Sequence, residues 1–287
     1  MSFLIFSILC SVIVSVLLKV ARSNHVDIKQ AIAFNYVMAI SLTWIFLKPK
    51  LPSSQALFSL DQPWLLFLAL GVLLPSIFLA MSRAVETAGI VRSDAAQRLS
   101  LFIPILASFT IFAETISMPR LLSLGVAFLA LFCLLHKPQQ RHSKSQSAAL
   151  FLLLVWIGYG VIDVLFKQMA KMGTTFSSGL FITFSLAGLL MFAYLLLRRN
   201  HFNLRSVIAG LVLGTFNFGN ILFYIRAHQS FSDNPTLVFT TMNIGVISLG
   251  TLVGALLFKE KISRLNALGI VLAICAVLML YLWALKA

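Results

Sequence analysis

Acidic side chains are scarce in this chain: 287 residues hold eight Asp and Glu against 22 Lys and Arg, for a formal net charge of +14. All charged residues together make up 10% of the sequence, whereas soluble domains carry about a quarter. That excludes an ordinary solvated surface. No hydrophilic stretch is long enough to form a separate soluble domain, so a nucleotide-hydrolysing module is excluded too. The three cysteines, Cys10, Cys133 and Cys275, are odd in number and each falls inside an apolar run. Neither a disulfide framework nor a zinc spacing fits them. His-Glu-x-x-His, Gly-x-Ser-x-Gly and phosphate-cradling glycine motifs are all missing, which leaves no basis for an enzyme. The five histidines, at 25, 136, 142, 201 and 228, fall in loops or at the ends of apolar runs without ligand spacing, so neither a metal nor a cofactor is expected. A surplus of basic residues often marks nucleic-acid binding. Here they are spread through short loops, a pattern that sets membrane topology and contacts anionic lipid.

What the chain has in abundance is apolar residues, 60% of the total. A helix needs about 20 predominantly apolar residues to cross the hydrocarbon of a bilayer. Ten segments meet that need: 3–21, 30–47, 64–82, 95–113, 120–136, 148–169, 177–197, 205–225, 235–258 and 264–285. They are too long and too uniformly apolar for the alternating strands of an outer-membrane barrel. The expected fold class is therefore an all-α membrane protein with ten transmembrane helices. The first segment lacks a positively charged leader and a small-residue cleavage site, so it is expected to remain as a helix. An even number of spans puts both termini on one side. About two-thirds of the Lys and Arg residues lie in loops after odd-numbered segments, which by the positive-inside rule places the termini outside.

The two halves echo each other. Glu114-Thr-Ile-Ser117 followed by Arg120-Leu-Leu-Ser-Leu-Gly125 is answered by Glu260-Lys-Ile-Ser263 followed by Arg264-Leu-Asn-Ala-Leu-Gly269. Val16-Leu-Leu-Lys19 is answered by Val164-Leu-Phe-Lys167, and Leu70-Gly71 with Arg83-Ala84 by Leu213-Gly214 with Arg226-Ala227. Three echoes in the same order at nearly constant spacing indicate duplication. The longest hydrophilic stretch, 136–147, lies at the midpoint. The expected organisation is a five-helix repeat at 1–137, a linker at 138–147 and a second repeat at 148–287. Five is odd, so the second copy enters the membrane from the opposite side and the repeats are inverted, the arrangement that supports alternating access.

On these residues the chain resembles the drug/metabolite transporter superfamily, and within it the ten-helix, two-repeat EamA-like proteins. The resemblance rests on the five-plus-five layout, on Glu114 and Glu260 after the fourth helix of each repeat, and on Gly125 and Gly269 in the helix that follows. It implies a carrier of small metabolites, often an exporter of amino acids or related compounds, in a bacterial inner membrane. It also implies cytoplasmic termini, opposite to the charge count. Trp156-Ile-Gly158 only approximates the Trp-Gly pair common in the family, and Pro104 has Gly250 as its counterpart.

Asp163 is the acidic residue placed within a span, and an intramembrane carboxylate is a functional candidate. Lys167 lies one turn on and could pair with it at i,i+4. The two form either a coupling site for protons or a structural ion pair. Trp156, Tyr159 and Asp163 share one helix face, as do Asn217, Asn220 and Tyr224, while Asn243 lies in the ninth span. In the first repeat Asn35 and Tyr36 lie in the second span, and Gln97 and Ser100 in the fourth. Mid-span amides need partners; they either line a watery solute cavity or join helices by hydrogen bonds. Aromatic walls with a few amides suit an amphipathic solute of amino-acid size. Arg83 and Arg226 are expected to close the third helix of each half. Gly210-x-x-x-Gly214 and Gly250-x-x-x-Gly254 permit close helix approach, and Pro75 and Pro104 permit bending. The expected partners are a small-molecule substrate, membrane lipid and protons, with a monomer sufficient. The leading expectation is a secondary transporter. A passive facilitator, a membrane scaffold and an enzyme acting on lipid-linked substrates are the alternatives.

Overall fold

The computed structural model describes residues 1–24, 26–50, 63–88, 90–115, 117–135, 146–199, 202–258 and 263–284. Glu260, residues 138–145 of the expected linker at 138–147, and His25, His136, His142 and His201 lie outside the described residues, while 146 and 147 belong to the helix that follows. The ordered elements are helices: α1 (Ser2–Ser23), α2 (Ile28–Leu42, ending in a π-helical turn at Thr43–Leu47), α3 (Trp64–Ala88), α4 (Ile90–Leu99), α5 (Phe102–Thr110), α6 (Met118–Leu135), α7 (Gln146–Lys171), α8 (Phe176–Leu197), α9 (Leu204–Ser230), α10 (Pro235–Phe258) and α11 (Arg264–Ala284). Eight of them are long and apolar enough to cross a bilayer, and Ala95–Thr110 and Met118–Leu134 are shorter apolar stretches. Leu65, Phe46, Leu106, Phe132, Leu197 and Leu256 stand among many large apolar side chains that are mostly exposed on the protein. A soluble monomer rarely exposes so much contiguous apolar surface. Lipid is the solvent that matches it. The protein is an integral, multi-pass membrane protein.

Two expectations about helix ends need correction. The fourth segment is not one helix through residue 113 but two, α4 and α5. Pro104 has no N–H to return to the carbonyl of residue 100, and proline is tolerated only in the first turn of a helix. A new helix therefore starts just before it. Ile103 N–H turns instead to the Ser100 carbonyl at 3.0 Å, and the Leu99 carbonyl that loses Ile103 accepts the indole N–H of Trp156 at 3.0 Å. Arg83 and Arg226 do not close their helices, because α3 continues to Ala88 and α9 to Ser230. Arg83 is exposed and pairs with Glu86 at 3.1 Å. Pro75 lies within α3, which is continuous around it.

The closest helix contact joins α2 to α9. Both helices begin at the same face, where they exchange bonds: Asp27 N–H donates to Ser206 Oγ at 3.0 Å and Asn203 N–H donates to Gln30 Oε1 at 2.9 Å. Asp27 and Asn203 also cap their own helices. From there the two run parallel in register. A Cβ added at Gly210 would lie 2.6 Å from the Ala31 carbonyl oxygen, and one at Gly214 would lie 2.5 Å from that of Asn35. Backbone meets backbone at both positions, so glycine is required by space. Gly250 differs: nothing lies within 4 Å of a Cβ added there, so it takes no part in a close approach. At the other end of the molecule Gly269 on α11 packs against Cys133 and Leu134 of α6. The Asn266 amide donates to the last carbonyls of α6, with Leu134 O at 2.9 Å, and satisfies groups that a helix end leaves open.

The main apolar core lies among α2, α3, α7, α8, α9 and α10 around Tyr36, Phe67, Leu70, Phe184 and Phe239, and a smaller one joins α6, α10 and α11. The three cysteines are free. Replacing Gly214 with Leu should force α2 and α9 apart and lower the detergent-solubilised melting temperature sharply, by the equivalent of about 3 kcal/mol for an overpacked site. Gly250→Ala should leave it unchanged. Equal melting of the two variants contradicts the register described.

Candidate functional site: a polar face on α7, α9 and α10

The polar residues of α7 recur every fourth position: Tyr159, Asp163, Lys167 and Lys171. That spacing lays them along one helix face, and the face turns toward α9 and α10. Asp163 accepts a hydrogen bond from the Tyr224 hydroxyl of α9 at 3.1 Å. The amide of Asn243 on α10 and the guanidinium of Arg98 on α4 also act on this carboxylate. Tyr159, one turn earlier, acts electrostatically on Tyr36 of α2, whose hydroxyl has no hydrogen-bond partner among the described residues. The structure thus brings together Tyr36, Tyr159, Asp163, Tyr224 and Asn243, from four different helices. Asn217 lies two turns before Tyr224 on the same face of α9. It is 7% exposed, and its amide makes no hydrogen bond among the described residues.

Other sequence-derived candidates are committed elsewhere. The Asn220 side-chain oxygen accepts from Ser7 of α1 at 2.9 Å, which makes it a tie between α1 and α9. Trp156 spends its N–H on the break between α4 and α5, as described above. Ser100 Oγ donates to the carbonyl of Gln97 at 2.6 Å, a local turn bond, and Gln97 is half-buried. Asn35 is buried behind Gly214, and neither of its amide atoms has a hydrogen-bond partner among the described residues.

The expected Asp163–Lys167 pair is not formed. Lys167 turns toward the end of the helix, where its ammonium donates to the Ser232 carbonyl at 2.7 Å and lies 5.9 Å from the centre of the Phe112 ring. It is 2% exposed. The physical reason is competition: the Tyr224 hydroxyl already supplies a donor to the carboxylate, while the turn after α9 offers Lys167 an open carbonyl.

Two features escaped sequence reasoning. The first is His228, one turn beyond Tyr224, whose ring lies between those of Tyr224 and Phe239 with centroids 4.8 and 4.7 Å away. The eighth segment was expected to end at 225, which put His228 beyond it. The series 217, 224, 228 on one face was the available signal. The second is the surrounding of Glu114, a residue expected in a loop. It does lie between α5 and α6, but it is buried, and it accepts from both the backbone N–H and the hydroxyl of Thr236 in the first turn of α10. A carboxylate there satisfies open N–H groups and complements the helix dipole. Arg120 approaches the other carboxylate oxygen at 3.6 Å and donates to Thr115 and to Asn234 Oδ1, the latter at 2.6 Å. Burial pushes the Glu114 carboxyl up from its usual range, against the opposing pull of the Thr236 hydrogen bonds and of the Arg120 and Lys167 charges. Among the described residues no group of His, Cys, Asp and Glu could hold a metal ion.

The integral membrane bundle thus holds an interior carboxylate, tyrosines and amides on facing helices. Residues 146–282 match the EamA-like transporter family. An uncharacterized protein of Haemophilus influenzae is 58% identical over 283 residues, which span 97% of this chain and 97% of that protein. One solved crystal structure superposes with a TM-score of 0.73 over 99% of this chain and 96% of its own at 13% identity, and so shares the fold. The second half of the chain, residues 146–282, is thus an EamA-like transporter family domain, which marks the protein as a membrane transporter.

Glu114→Ala leaves Arg120 and the Thr236 N–H without their partner, so the melting temperature in detergent should fall by the equivalent of roughly 3–5 kcal/mol. Glu114→Gln keeps an acceptor and should cost less than half as much. A Glu114→Ala variant as stable as the parent would show the network to be unimportant for folding.

Proposed function

We propose that this protein is a secondary transporter that exports small metabolites, amino acids or related amphipathic solutes, by alternating access across a bacterial inner membrane. The observation that carries this reading is the Asp163–Tyr224 pair with Asn243 beside it, within helices long enough to span the bilayer. A carboxylate held there is costly unless it serves a solute or an ion. Tyr36 and Tyr159 supply an aromatic wall, and Asn217, Asn243 and Asp163 supply polar groups that would orient a solute's amine or carboxylate. Substrate contact by Asn35, Gln97, Ser100, Trp156 and Asn220 has less support, since four of them are buried or spent on bonds within the protein.

Helix packing supports the reading of two inverted repeats, 1–137 and 148–287, joined by 138–147. Exchange α1, α2, α3, α4 with α5, and α6 for α7, α8, α9, α10 and α11, and the main contacts map onto one another. The pair α1–α9 becomes α7–α3, α2–α9 becomes α8–α3, and α1–α10 becomes α7 with α4 and α5, all of which are packed. The pairs α2–α8 and α6–α11 map onto themselves. A pseudo-two-fold axis of this kind lets each half adopt the other's conformation and so open each side of the membrane in turn.

Asp163 would couple solute to protons by exchanging its own proton for substrate. In proteoliposomes the reconstituted protein should exchange labelled for unlabelled amino acid, and an imposed pH gradient should drive net movement. Asp163→Asn should keep the exchange and lose the response to the gradient. A response that survives unchanged in the variant assigns Asp163 a structural role, and exchange without any gradient response in the parent identifies a facilitator. No exchange for any solute in an amino-acid panel would favour the scaffold alternative.

A further inference from the structure

We propose that the cavity between the C-terminal ends of α7 and α9 binds the oxyanion of a small soluble solute, a carboxylate or phosphate group. The proposal rests on the transporter reading above and adds a substrate class to it. The cavity is about 690 Å³ and opens to the surface; Lys167, Lys171, Arg226, His228, Gln229 and Ser232 line it. That volume is ample for a metabolite. Among the described residues no carboxylate belongs to its lining.

Helix-end cations alone would be ordinary, since Lys and Arg complement the dipole at a C-terminus and anchor helices at the interface. Three observations go beyond that. Lys167 is almost fully buried, yet among the described residues it makes one hydrogen bond, to the Ser232 carbonyl, and an ammonium has three donors. The carboxylates whose charges reach it are Asp233 and Glu114, and Glu114 is already held by Thr236 and Arg120. His228 is 1% exposed, lines the same cavity, and neither of its ring nitrogens has a hydrogen-bond partner among the described residues. Buried polar groups are rarely left so without a functional reason. Finally, Lys171 and Arg226 form no ion pair among the described residues; the Lys171 ammonium lies over the Phe112 ring at 4.7 Å. Gln229 fixes the rim by donating to the carbonyl of Gly173 at 2.9 Å.

Lys167 and His228 stand one turn beyond Asp163 and Tyr224 on the same two helices. An anion held by Lys167, Lys171 and Arg226 would therefore sit at the mouth of the polar face, its remaining atoms directed toward Tyr224 and Asp163. Fixed cations in a partly dry cleft also raise the local concentration of an anionic solute.

The test uses the full chain in phosphatidylcholine nanodiscs, titrated calorimetrically with sodium phosphate and with sodium succinate at constant ionic strength. Saturable binding of at least one is expected. Lys171→Gln and Arg226→Gln should each weaken it about tenfold and the double variant should abolish it, with melting temperatures unchanged. No binding by the parent, or undiminished binding by the folded double variant, overturns the proposal. So does binding that disappears when phosphatidylglycerol is added to the disc, which would make the cavity a seat for a lipid headgroup. Counterflow separates this inference from the one beneath it. Amino-acid exchange that persists without any anion binding refutes the oxyanion site alone, and anion binding without exchange of any solute refutes the transporter reading alone.

Discussion

In hydrocarbon a polar group has only the protein or trapped water to bond with, and most of this structure follows from that requirement. Backbone groups meet it by forming helices. Where a helix is broken, at the start of α5, the open carbonyl of Leu99 is taken by a tryptophan from α7. Where a helix ends, as α6 does, Asn266 from α11 reaches across to its last carbonyls. Where α10 begins, Glu114 takes the N–H of Thr236. Each of these bonds joins segments far apart in the chain, so satisfying the backbone also fixes the tertiary arrangement.

Side chains obey the same rule, and this separates structural polar residues from those available for function. Asn220 and Trp156 have found partners within the protein and hold helices together. Asp163 has Tyr224 as its donor, but Asn35, Tyr36 and His228 make no side-chain hydrogen bond among the described residues. Buried side-chain atoms without a partner among the described residues lie on α2, α9 and α10, at Asn35, Tyr36, His228, Thr240, Thr241 and Ser248, with Thr183 on α8. A folded bundle that stabilises itself through its tied residues leaves these others free to meet a solute.

Much of the fold was legible because lipid exposure writes a simple code. The ten apolar segments correspond to the eight long helices and the two shorter stretches, since a membrane helix must be apolar over most of its length. Helix ends were less legible: α3 and α9 carry polar residues such as Arg83 and His228 past the apolar limit, and hydropathy alone stops short of them. The break before Pro104 was foreshadowed by the proline, although its consequence for Trp156 is a bond between residues 57 apart in the chain. Spacing correctly put Tyr159 with Asp163 and Asn217 with Tyr224, because a face is a local property. It could not say which face looks inward, which is why Asn220 and Lys167 were grouped with residues they do not meet. Contacts between helices decided that, and the glycines at 210 and 214 were the one sequence feature that specified such a contact.

Whether water reaches the face formed by Asp163, Tyr224 and Asn243 decides between a transport path and a packing interface. In a protein whose Cys10, Cys133 and Cys275 have been replaced, single cysteines at Asn217 and Asn243 can be challenged with a small, charged, membrane-impermeant thiol reagent. Both positions should react when the reagent is offered from the side on which the cavity beside Lys171 opens. A cysteine at Leu106, which faces lipid, should not. If the cysteines at 217 and 243 stay unreactive from both sides and with every solute tested, the polar face is a dry packing interface and not a transport path.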